Sequence, residues 1–100
     1  MMCPVGRFRI TEDHPSLPGH FPGRPVVPGV VLLDAAFALI LAEQPGRGMV
    51  GLPSVKFTRP VQPGQDVLVS CDVGGDRVAF ACTVAGQPVL HGSVALGGPS

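Results

Sequence analysis

The chain has 100 residues, 45% of them hydrophobic and 14% charged, with seven Lys and Arg balancing seven Asp and Glu. That composition excludes a disordered linker and describes a single small apolar domain over residues 1–100. A formal net charge of zero leaves no basic stripe for phosphates, so recognition of nucleic acid through its backbone has no support.

Residues 5–10 alternate, with Phe8 and Ile10 on one side and Arg7 and Arg9 on the other, which predicts a short half-buried strand. The residues before it include no apolar stretch of signal-peptide length, so a cytoplasmic protein is expected. In residues 11–27, Pro15, Pro18, Pro22 and Pro25 combine with Gly19 and Gly23 to exclude regular structure and predict a rigid, turn-rich loop. Two of the three histidines, His14 and His20, lie in that loop.

A helix of about four turns is expected over residues 28–43, with Pro28 suited to its first turn and Gln44-Pro45-Gly46 as a stop. Apolar residues run all round it, so burial on most faces is expected, with the rest of the chain as the wrapper. The longest apolar stretch, residues 30–42, contains Asp34 and falls well short of the ~20 residues of a membrane span. No membrane association is expected.

Beyond the helix, a weaker strand is expected near residues 50–57. Two clearer ones alternate through Val67, Val69, Cys71 and Val73, and through Val78, Phe80, Cys82 and Val84, joined by hairpin chemistry at Gly74-Gly75-Asp76. Another strand follows over residues 89–96. Centring the hairpin near Gly75 sets Cys71 opposite about Ala79, too far from Cys82 for a disulfide. The odd count and wide spacing of Cys3, Cys71 and Cys82 fit reduced thiols. The layout is α+β, a long helix wrapped by a mostly antiparallel five-stranded sheet. So many apolar side chains on so short a chain also predict a homodimer or a larger oligomer.

Asp34 stands out chemically, because its helical neighbours Val30, Val31, Phe37 and Ala38 give it no polar stripe. If buried, such a carboxyl is driven to stay protonated, and a protonated acid is a proton donor. Equally open from the pattern are a carboxylate reaching solvent at the sheet edge or one paired with an arginine such as Arg59. His20 sits in dense Pro/Gly punctuation, the setting a positioned base requires, although a lone loop histidine is more often a surface or capping residue. Helix-terminal amides at Gly29 and Val30 could receive a substrate carbonyl, while the plainer role of Gly29 is to ease the turn into the helix. The segment Gly46-Arg47-Gly48-Met49-Val50-Gly51 matches a dinucleotide fingerprint in letters only, since it follows a helix and precedes a strand. No Cys or His spacing suits structural zinc, so no metal is expected.

Taken together, residues 19–35, from Gly19-His20-Phe21-Pro22-Gly23 through Pro28-Gly29 to Asp34-Ala35, closely resemble the signature of the 3-hydroxyacyl-[acyl carrier protein] dehydratases. Residues 55–65, Val55-Lys56-Phe57-Thr58-Arg59-Pro60 onward, are similar to that family's second signature. The resemblance implies the hot-dog fold and reversible dehydration of 3-hydroxyacyl thioesters to trans-2-enoyl thioesters, without a cofactor. It implies His20 as general base and Asp34, fourteen residues on, as the acid, with Gly29 and Val30 as backbone donors and each site shared across a dimer. Phe21, Leu33, Phe37 and Phe57 are expected to line an acyl tunnel, and Arg24, Lys56 and Arg59 to meet an acidic acyl carrier protein. Asp34 stands as in the dehydratase/isomerase branch, and Ala38 replaces the Gln that commonly follows the acid by four residues. The alternatives are a hot-dog acyl thioesterase and a non-catalytic acyl-binding or dimerisation module.

Overall fold

A computed structural model describes residues 2–11, 26–51 and 54–97. Strand β1 (Cys3–Arg9) is followed by helix α1 (Gly29–Ala42), and then by β2 (Gly48–Met49), β3 (Ser54–Phe57), β4 (Asp66–Gly74), β5 (Arg77–Val84) and β6 (Gln87–Gly97). All strand pairs are antiparallel. The sheet runs β1-β4-β5-β6-β2, with β3 also paired to β6. Of the strand expected near residues 50–57, its second half is β3; β2 lies just before that span on the same neighbour, and the described residues form a sheet of six strands. The alternating pattern there is broken by Gly48 and Gly51, which offer no side chain to hold a continuous ladder.

Alternation decides which face is buried. On β4 and β5, Val67, Val69, Cys71, Val78, Phe80 and Cys82 turn inward and are almost wholly buried. Against them lie Leu32, Ala36, Phe37 and Ile40 of α1. Phe37 meets Phe80 edge to face, with ring centroids 5.3 Å apart at 81°. The hairpin register differs from the expected one by a single residue: Cys71 faces Phe80, because Gly75 and Asp76 form a two-residue turn closed by Gly74 and Arg77. Cys82 faces Val69 and is therefore two positions along from Cys71. All three cysteines are thiols, and burial pushes that of Cys82 up to about 12.

The β5–β6 turn uses Ala85 and Gly86, both with positive φ, at 52° and 79°. Arg47, in the false dinucleotide segment, has a structural task instead. Its guanidinium donates to Asp76 at 2.8 Å and to the Gly75 carbonyl at 3.0 Å, tying the chain after the helix to the β4–β5 turn. On the outer face, Arg9 and its cross-strand partner Asp66 form an ion pair of 2.8 Å that holds the Asp66 carboxyl below the usual carboxylate range.

The helix is covered on one side only. Val30, Asp34 and Ala38, four residues apart, form an exposed stripe, and Val30 is 73% exposed. Among the described residues the burial on most faces expected from the all-round apolar composition is not found, because the sheet reaches one face of the cylinder. No helix among the described residues is long and apolar enough to cross a membrane.

Candidate active site

At the start of α1, the residues that precede the helix and those that follow β3 are pinned together by backbone bonds. The Val27 amide donates to the Val61 carbonyl at 2.8 Å, and the Thr58 amide donates to Val89 of β6 at 2.9 Å. The Thr58 hydroxyl adds a bond to the Pro88 carbonyl at 3.0 Å. Between the two segments lies a cavity of about 440 Å³, walled by Val27, Gly29, Leu32, Phe57, Arg59 and Val61 among others. Its wall is mostly apolar, with Arg59 as the cationic residue, and it opens onto the first turn of the helix.

That turn suits a polar group on a ligand. Pro28 is the N-cap and makes no side-chain capping bond, and among the described residues the first helix amides with a backbone partner are those of Val31 and Leu32, both to the Pro28 carbonyl. The N–H groups of Gly29 and Val30 precede them, at the positive end of the helix dipole. Glycine at 29 lets the Phe57 ring lie close over the turn: a Cβ there would stand 2.7 Å from the ring tip, and the ring would have to shift. Phe57 itself is 48% exposed and forms a wall of the cavity over this turn.

The strand that carries Phe57 is held as closely. A Cβ on Gly92 of β6 would coincide with the Ser54 carbonyl and approach the Val55 Cα to 2.9 Å, so β3 can lie on β6 only across a glycine. This closeness sets how far Phe57 and Arg59 stand from the helix. Sequence reasoning named Gly29, Phe57 and Arg59 but missed Leu32, Val27 and Val61, whose only sequence signal is their position inside the two family signatures.

The other expected site residues are distributed as follows. Asp34 is exposed, among Val30 and Ala38, so of the alternatives left open by the sequence its carboxyl reaches solvent within this chain. At 3.6 residues per turn it lies two positions, or roughly 200°, round from Leu32, so it points away from the cavity of its own chain. Neither Arg59 nor any other described residue forms an ion pair with it. Phe37 is turned into the core against Phe80, and Leu33 packs at the core's margin, neither of them on the cavity wall. Lys56 is exposed on β3, opposite His91. His20, Phe21 and Arg24 lie outside the described residues, as does His14. Among the described residues no three His, Cys, Asp or Glu side chains are grouped to hold a metal ion.

The fold places these features in known company. The ApeI:P dehydratase heterocomplex from Xenorhabdus doucetiae is 22% identical, with a TM-score of 0.77 over 96% of this chain and 97% of that one. An (R)-hydratase from A. caviae involved in PHA biosynthesis is 20% identical, with a TM-score of 0.71 over 99% and 95%. The fluoroacetyl-CoA thioesterase FlK is 17% identical, with a TM-score of 0.65 over 98% and 86%. Likeness at these identities establishes the hot-dog fold, one helix against an antiparallel sheet. The model of the ApeI-like family, described as ApeI dehydratase, matches residues 3–93, and the chain therefore belongs to the ApeI-like dehydratase family.

Proposed function

We propose that this protein reversibly removes water from 3-hydroxyacyl thioesters carried on acyl carrier protein, giving trans-2-enoyl thioesters, in the cytoplasm. The observation that carries the reading is the largely apolar cavity walled in part by Gly29 at the first turn of α1, in a chain of a dehydratase family. In this reading the thioester oxygen accepts bonds from the Gly29 and Val30 amides, which stabilise the enolate-like charge that develops as the C2 proton leaves. Neutral His20 takes that proton, and Asp34 delivers one to the departing 3-hydroxyl, directly or through a water. No cofactor is needed, since the thioester supplies the acidity at C2.

Asp34 points away from its own cavity, so the reading requires a homodimer in which Asp34 of each subunit serves the cavity of the other. The uncovered stripe of Val30, Asp34 and Ala38 supports this, because a second copy laid on it would cover Val30 and dry the carboxyl. Arg59 at the cavity wall and exposed Lys56 nearby offer positive charge to an acidic carrier, a contact that salt should weaken. Phe57 beside Gly29 is the tunnel-lining side chain with the most direct support.

The test is to incubate the protein with trans-2-enoyl thioesters of several chain lengths, on carrier protein and on coenzyme A, and to follow products by mass spectrometry. A 3-hydroxyacyl thioester is the expected product, formed fastest on the carrier. Free acid as the main product would assign a thioesterase, and neither product at any length would leave an acyl-binding module. Dehydration without isomerisation is expected, because the loop around His20 is similar to that of the dehydratase-only branch although Asp34 stands as in the isomerase branch, and a cis-3-enoyl thioester would overturn it.

A further inference from the structure

The edge pair β1–β4 contains one irregularity with chemical content. From Arg9 back to Gly6 the register is regular, with Gly6 opposite Val69, and continued it would set Cys3 opposite Asp72 on the solvent face. Instead Pro4 faces Ser70, so Val5 is an extra, bulged residue and Cys3 comes to stand directly opposite Cys71. Directly opposed residues share a face of the sheet. Cys71 lies on the inner face and is 5% exposed, whereas Cys3, at the corner of the sheet, is exposed.

We propose that Cys3 and Cys71 are an oxidative modification site, a dithiol that low-molecular-weight disulfides close into a bond tying β1 to β4. Antiparallel partners have Cα atoms about 4.5–5.5 Å apart, inside the roughly 4.4–6.8 Å window that a disulfide spans without backbone movement. Their proximity is also felt electrostatically: burial raises the Cys71 thiol most, and Cys3 is the next contributor, ahead of Glu43 and Asp72. The rival pairing is poor. Cys82 stands diagonally from Cys71, about 7–8 Å away, wholly buried and with its thiol held at about 12.

Accessibility orders the steps. The exposed Cys3 thiolate attacks one sulfur of the small disulfide, forming a mixed disulfide and expelling one small thiolate. Cys71 then attacks the Cys3 sulfur, forming the Cys3–Cys71 bond and expelling the second. Two protein thiols are oxidised by two electrons, the small disulfide is reduced to two thiols, and these take up the two protons that the cysteines lose.

The experiment uses the full chain, reduced and then exposed to oxidised glutathione, blocked with iodoacetamide and digested for mass spectrometry. The expected product is a peptide linked through Cys3 and Cys71, lighter than its reduced parts by two hydrogen atoms, with Cys82 alkylated only after denaturation. Cys82→Ala should give the same linked peptide, and Cys3→Ser none. Cys71→Ala should stop at glutathione on Cys3. Should that variant fail to fold, the wild type decides alone: a stable glutathione adduct on Cys3, a Cys3 bond between two chains, or a Cys71–Cys82 link would each overturn the proposal. The readout is mass and not turnover, so its outcome is independent of the dehydratase reading.

Discussion

Asp34→Asn is expected to lower the rate of dehydration by about 10²–10⁴-fold while leaving the protein folded. The two halves of this result have separate causes. Within its chain the carboxyl is exposed and makes no ion pair among the described residues, so an amide of the same shape should leave the fold intact, and at a dimer interface the uncharged amide costs less to dry. An amide, however, cannot deliver a proton to the leaving hydroxyl. His20→Ala should lose a similar factor by removing the base. Because elimination needs both groups in one coupled event, the double variant should be little worse than either single one. Steady-state rates on a 3-hydroxyacyl thioester, with thermal unfolding as control, check this. A single variant that keeps more than a tenth of wild-type turnover would place the chemistry on other residues.

Phe80→Ala is expected to cost about 3–5 kcal/mol, a large share of the roughly 5–15 kcal/mol that holds a domain together. Phe80 is wholly buried on the central strand β5, flanked by Cys71 and Gly92 and met edge-on by Phe37. Removing the ring forfeits its burial and leaves a void that neither neighbour can fill, since Gly92 has no side chain and Phe37 is fixed to the helix. Phe80→Leu, which keeps most of the volume, should cost less than about 2 kcal/mol. Denaturant titration of the pair separates the terms. A loss under about 1 kcal/mol for the alanine variant would show that the ring does not hold helix to sheet.

The elements of this fold were legible where a period was long enough to read. Alternation from Val67 to Val73 and from Val78 to Val84 placed the two central strands, and the breakers flanking residues 28–43 placed the helix to within about a residue at each end. What alternation cannot carry is a single-residue offset. The register of Cys71 against Phe80 depends on which two residues occupy the turn, and Pro4 and Gly6, which flank the bulge at Val5, mark an irregular edge without fixing which residue of β4 each one faces. Gly92 read as a plain strand residue, because its reason is the backbone of Ser54, thirty-eight positions away.

The candidate site was legible in parts for a related reason. Gly29, Phe57 and Arg59 lie in sequence signatures and do meet at one cavity. The pattern left open whether Asp34 is buried or reaches solvent, because an all-round apolar helix needs a cover and composition does not say whose atoms supply it. The same ambiguity moved Phe37 from an expected tunnel wall to a core partner of Phe80.

The Ala85-Gly86 turn holds a small reserve of stability that the chain does not use. A φ of 52° is routine for Gly86's kind but costs an alanine roughly 1 kcal/mol, because its Cβ crowds the following carbonyl. Asparagine tolerates that conformation far better, and Asn-Gly is the pair most favoured where two strands are joined by two residues. Ala85→Asn should therefore raise the melting temperature by a few degrees, a part of the roughly 4–8 °C that a full 1 kcal/mol would give. An unchanged or lower melting temperature would mean that the turn is already relaxed. If the gain is found, it offers a compensating change for handling variants such as Phe80→Leu, made in the exposed turn and not in the buried core.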